Sequence, residues 1–133
     1  MHKGSEQVHD ELAHLRSNKG LSFYANTIVR FTLLVTVILQ SISVGLLGVF
    51  VKSKQSTVIV HYNVYFGIDL IGSWEQIFII PGIVFLFSLA NTFFARWFYM
   101  NNERIVAYIL LITSILISLG SILACASIAY INY

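Results

Sequence analysis

The sequence predicts an all-α membrane protein: three transmembrane helices, a short amphipathic helix before them, and a small extracytoplasmic loop able to form strands. Three observations carry that expectation. Hydrophobic residues make up 57% of the 133 residues and charged residues 11%, with a mean hydropathy of +0.79, well outside ordinary soluble proteins. The apolar residues gather into three runs long enough to cross a bilayer. The charges collect between the runs, where they set topology. The formal charge of +2 therefore reflects basic residues bracketing apolar runs and does not point to a nucleic-acid partner. The single cysteine, Cys125, lies inside an apolar run, which excludes an intrachain disulfide and a cysteine metal cluster.

Residues 1–20 read as a cytoplasmic amphipathic segment. In "SEQVHDELAHLRSNKG", Ser5 can cap a helix, Val8, Leu12 and Leu15 share one face, and Gly20 stops it. His9, Asp10 and His14 read as a solvated helix face, since no third metal ligand is fixed beside them. The first span falls within residues 21–51. Arg30 and Lys52 bracket a charge-free run of roughly 33 Å in helical form. About 30 residues precede this run and no small-residue cleavage site follows it, so it reads as a permanent helix and not as a signal peptide.

A loop over residues 52–76 leads to the second span, 77–98. Trp74 and Trp97 flank that span as interface anchors, and Pro81 falls early enough for a first-turn position or a mild kink. A turn at 99–104 forces an antiparallel helical hairpin with the third span, 105–133, which carries no charge after Arg104. Lys3, Arg16, Lys19, Arg30, Arg96 and Arg104 lie on one side of this arrangement and only Lys52 and Lys54 on the other. That bias predicts a multi-pass protein of the plasma or inner membrane, with a cytoplasmic amino terminus and an extracytoplasmic carboxy terminus.

Between Arg30 and Lys52, between Glu75 and Arg96, and after Arg104, the spans contain no Asp, Glu, Lys, Arg or His, which argues against a proton pump or an ion-coupled carrier built from one chain. Gln40 is the deepest polar side chain and Asn91 lies nearer the cytoplasmic end of the second span, each expected to hydrogen-bond a neighbouring helix. Ser114, Ser118, Ser121 and Cys125 recur at helical spacing, while Ser41, Gly45 and Gly48 do so in the first span. Such small faces let helices approach closely, within one chain or between copies.

The loop segment "STVIVHYNVYFGIDLIG" differs from the spans on either side. Strand periodicity places Val58, Val60, Tyr62, Val64 and Phe66 on one face and Thr57, Ile59, His61, Asn63 and Tyr65 on the other. An isolated strand of this kind is unstable in water. It is expected to turn near Asn63 or Gly67 and pair with "FGIDLIG", to lie on the bilayer interface, or to add to another protein's sheet. His61, Asn63, Asp69 and Glu75, with Lys52 and Lys54, are the chemically capable side chains of the loop. No nucleophile or metal-ligand spacing accompanies His61, so the segment reads as a partner-binding surface formed by His61, Asn63, Tyr65 and Asp69, with no catalytic residue, metal or cofactor.

His61, Asn63, Gly67, Asp69 and Pro81, placed between a first and a second span, resemble the His-x-Asn segment of an uncharacterised bacterial membrane-protein family. That segment also opens the membrane domain of Sdp-type toxin immunity proteins. The resemblance covers roughly residues 51–84. Where that family commonly carries a lysine before the second span, this chain has Trp74 and Glu75. The resemblance implies a bacterial membrane protein with an immunity-like role. Together the observations favour a small non-enzymatic accessory or interaction module, self-associating or bound to a larger membrane protein. The alternative is a subunit of an oligomeric transporter or pore in which Gln40, Asn91 and the third-span serines line a path.

Overall fold

A computed structural model describes residues 8, 11, 22–51, 57–65 and 67–132. Its elements are helix α1 (Thr27–Phe50), strands β1 (Val58–Asn63) and β2 (Gly67–Gly72), a 3-10 helix (Trp74–Phe78), and helices α2 (Ile79–Met100) and α3 (Arg104–Ile131). Val8 and Glu11 are helical, and the rest of the expected amphipathic segment, with His9, Asp10 and His14, lies outside the described residues.

Three helices are long and apolar enough to cross a membrane: Thr27–Phe50, Trp74–Met100 and Arg104–Ile131, of 24, 27 and 28 residues. At about 1.5 Å per residue each exceeds the roughly 30 Å hydrocarbon core. This is the architecture of a small multi-pass membrane protein. Hydroxyls inside the spans are satisfied locally: Thr36, Ser41, Ser88, Thr92 and Ser118, among others, donate to the carbonyl four residues earlier. Lipid offers such groups no partner, so this back-bonding is what lets so many hydroxyls reside there.

Helix α3 is the central element, packing along both α1 and α2, which barely touch each other. Its buried stripe, Ala107, Leu111, Ser114, Ser118, Ser121, Cys125 and Ile128, alternates steps of three and four residues, and its small members let both neighbours approach. On α1 the buried stripe is Val29, Thr32, Thr36, Gln40, Ser43 and Leu47. The expected Ser41, Gly45 and Gly48 face is displaced from that stripe and is exposed, and a Cβ built on Gly45 or Gly48 meets nothing within 4 Å. Of the two expected settings for Gly45, packing within the chain or between copies, the first is not what the fold shows: Gly45 faces outward. Helix α2 buries Pro81, Ser88, Ala95 and Tyr99, with Pro81 in the first turn, where its missing N–H is harmless.

Helices α2 and α3 join through Asn101–Glu103. Asn102 has φ 69°, and the N–H groups of Asn102 and Glu103 donate to the carbonyls of Tyr99 and Phe98 at 3.2 and 3.0 Å. This is a Schellman stop with Asn in the left-handed position that usually takes Gly.

At the other end β1 and β2 form an antiparallel hairpin, with Gly67 at φ 83° closing its tip. Pairs run Val58 with Gly72, Ile59 with Ile71, His61 with Leu70, Tyr62 with Ile68 and Asn63 with Gly67. The two shifts leave Val60 on β1 and Asp69 on β2 without an opposite residue, as in β-bulges. Strict alternation therefore fails. Val58 is buried and Val60 packs beside it, whereas Val64 falls in the turn and is exposed instead of continuing the apolar face.

Candidate functional site

The bundle is fastened at three levels by carboxamide side chains. At the turn end Asn26 caps α1: its Oδ1 accepts from the Ile28 N–H at 2.9 Å. Its Nδ2 donates to the hydroxyls of Tyr108 on α3 at 3.0 Å and Tyr99 on α2 at 3.4 Å. One side chain thus joins all three helices. Phe23 packs edge-on against Tyr99, with ring centres 5.3 Å apart, inside a cluster with Val29, Ala95, Ala107 and Leu111. The Arg104 and Arg96 guanidinium carbons lie 5.5 Å from the ring centres of Tyr99 and Tyr24.

In the middle of the spans Gln40 on α1 donates through Nε2 to Ser118 on α3 at 3.2 Å and to Ser88 on α2 at 3.4 Å. Both serine hydroxyls donate to their own helices, so their oxygens are the acceptors and the amide nitrogen must face them.

At the hairpin end Asn132 closes α3. Its Nδ2 donates to the carbonyls of Ile59 at 2.7 Å and Ile128 at 2.9 Å, and its Oδ1 accepts from the Ile59 N–H at 2.9 Å. The carboxamide takes the place of a neighbouring strand along the edge of β1 that faces away from β2. Beneath it Val58 joins Leu47, Val51, Ile77, Cys125 and Ile128 in an apolar cluster. Gln76 completes the corner: its Oε1 accepts from the Ser73 N–H at 3.2 Å, and it occupies the space a Cβ on Gly72 would need.

The hairpin is thus held on the inner side and open on the outer. Val64, Tyr65, Leu70 and Ile71 are 83, 92, 54 and 60% exposed, and among the described residues no strand pairs with the outer edge of β2. Of the residues expected to bind a partner, Tyr65 sits in the exposed turn, while His61 and Asn63 belong to β1 and Asp69 to the bulge of β2. The side chains of His61, Asn63 and Asp69 lie outside the described residues. Among the described residues no group of His, Cys, Asp and Glu could hold a metal ion.

Of the expected packing residues, Gln40, Ser114, Ser118 and Ser121 are buried between helices. Asn91 departs from expectation. Its carboxamide meets no hydrogen-bond partner among the described residues, because α3 packs on the neighbouring face through Ser88 and Ala95. Trp74 and Trp97 stand exposed at opposite ends of the second span, stacked edge-on with Phe78 and Phe98. Sequence reasoning missed Asn26 and Asn132. A helix-starting Asn before the first span was a readable capping signal, whereas nothing near Asn132 in sequence announces Ile59.

Because α1 and α2 splay apart, an apolar groove of about 750 Å³ opens between them, lined by Val37, Gln40, Gly45, Gly82, Phe85 and Leu89 among others. No protein-family model, curated protein or solved structure matches the chain.

Proposed function

We propose that the chain is a non-enzymatic interaction module of a plasma or inner membrane, which recognises a protein partner on its extracytoplasmic side through the hairpin. The observation that carries this reading is the hairpin's asymmetry. Asn132 and Val58 fix β1 to the bundle, while the β2 edge and the exposed Leu70 and Ile71 remain available. A fixed hairpin loses less entropy on docking than a floppy loop would, and an open edge can accept an added strand. The excess of basic residues on the amino-terminal side supports an outward-facing hairpin. The resemblance around His61 and Asn63 to the segment of toxin immunity proteins is consistent with a partner that arrives from outside.

The reading of a pore or transporter subunit receives less support, because Ser114, Ser118 and Ser121 are buried against neighbouring helices. The test is purification from native membranes in mild detergent followed by native mass measurement. A stoichiometric second protein that is lost in the Leu70→Glu/Ile71→Glu variant, with the fold retained, is the expected result. Retention of every co-purifying protein by that variant would defeat the proposal.

A further inference from the structure

The three carboxamide clasps are not equivalent. Asn26 and Asn132 use both amide hydrogens and the carbonyl oxygen. Gln40 uses only its nitrogen: among the described residues its Oε1 accepts no hydrogen bond, and because no buried side-chain oxygen or nitrogen among them lacks a partner, this oxygen is an accessible one. Gln40 lines the groove between α1 and α2. A carbonyl left unpaired in lipid is costly, so the groove calls for an occupant carrying a donor.

Depth decides which occupant. Gln40 lies within two residues of the midpoint of α1, about 3 Å from mid-membrane. Phospholipids place only acyl chains at that level, and these donate nothing. A transmembrane helix with an amide can reach it, and this chain possesses one. Asn91 is half-buried, makes no hydrogen bond among the described residues, and follows Ser88, a partner of Gln40, by three residues. That is a rise of about 4.5 Å, and helix side chains lean toward the amino terminus, which carries the Asn91 amide back toward the Ser88 level.

Phe85, three residues before Ser88, lines the groove. Asn91, three residues after it, lies about 60° around the helix on the opposite flank, between the exposed Phe87 and Phe94. The groove walls are trimmed for a close helix: a Cβ on Gly45 or Gly82 would meet nothing within 4 Å.

We infer that a second copy of the chain docks the Asn91 flank of its α2 into the α1/α2 groove, the Asn91 amide donating to the Gln40 carbonyl oxygen. Donor and acceptor surfaces differ, so the contact is head-to-tail and builds a closed ring or an open chain of copies. It does not depend on the hairpin's role.

The test is energy transfer between copies carrying donor and acceptor fluorophores, reconstituted in phosphatidylcholine/phosphatidylglycerol vesicles over a range of protein densities. Wild type should associate. Asn91→Leu, which removes no hydrogen bond among the described residues, should weaken association about three- to tenfold, and Gly82→Leu should do the same by filling the groove. In a Cys125→Ala background, oxidation should cross-link Phe85→Cys copies to Asn91→Cys copies in a mixture, and neither population alone. The Leu70→Glu/Ile71→Glu variant should associate as wild type does, which separates this contact from partner binding at the hairpin. Monomers at every density, with or without retained lipid, would overturn the inference. So would wild-type association by either Asn91→Leu or Gly82→Leu, or cross-linking within a single population.

Discussion

The two ends of the bundle are fastened by the same chemistry to different effect. At the turn end Asn26 joins three helices among aromatic rings, and the connection between α2 and α3 closes in a Schellman stop. At the hairpin end Asn132 joins one helix to one strand, and the strand beyond it presents apolar side chains outward. The first arrangement holds the helices together. The second holds a surface in place. Fastening many elements makes an end structural, while fastening one element along one edge leaves the other edge open for the recognition proposed above.

Removing each clasp separates these roles. The largest effect should come from Asn26→Leu, which loses the α1 cap and both tyrosine hydrogen bonds. About 2 kcal/mol of global stability should disappear, read as a lower unfolding midpoint in detergent. A midpoint unchanged from wild type would deny the turn end its structural role.

Asn132→Leu should cost about 1–2 kcal/mol, confined to the hairpin. Hydrogen exchange at the β1 and β2 amides should rise about tenfold or more while the spans keep wild-type protection. Loss of protection throughout the bundle would place Asn132 in the global fold and erase the contrast between the ends. Gln40→Leu should have the smallest effect, about 0.6 kcal/mol, because Ser88 and Ser118 keep the hydrogen bonds to their own helices. Thermal unfolding of this variant checks the ordering.

The three spans were legible because lipid imposes a length and a composition that runs bracketed by Arg30, Lys52, Glu75, Arg96 and Arg104 display openly. The hairpin was legible as one of three readings of the loop, the pairing of the Val58 segment with "FGIDLIG", since Gly67 supplies a turn residue. Its bulges at Val60 and Asp69 were not, because register depends on what lies beneath the strands, here Leu47, Ile77 and Cys125. On α1 the sequence offers two polar or small stripes, one through Ser41 and Gly45 and one through Thr36, Gln40 and Ser43. Which of them turns inward is set by the neighbours. The long-range clasp from Asn132 to Ile59 spans 73 positions and leaves no periodic trace.

The central claim is that the two ends lie on opposite sides of the membrane, with the recognition end outside. It is tested most directly with a membrane-impermeant maleimide on intact cells, using single-cysteine variants in a Cys125→Ala background. Tyr65→Cys reports the hairpin tip and Asn101→Cys the turn, both exposed positions. The account predicts labelling of Tyr65→Cys in intact cells and of Asn101→Cys only after permeabilisation. Labelling of Asn101→Cys in intact cells, with Tyr65→Cys protected, would contradict it.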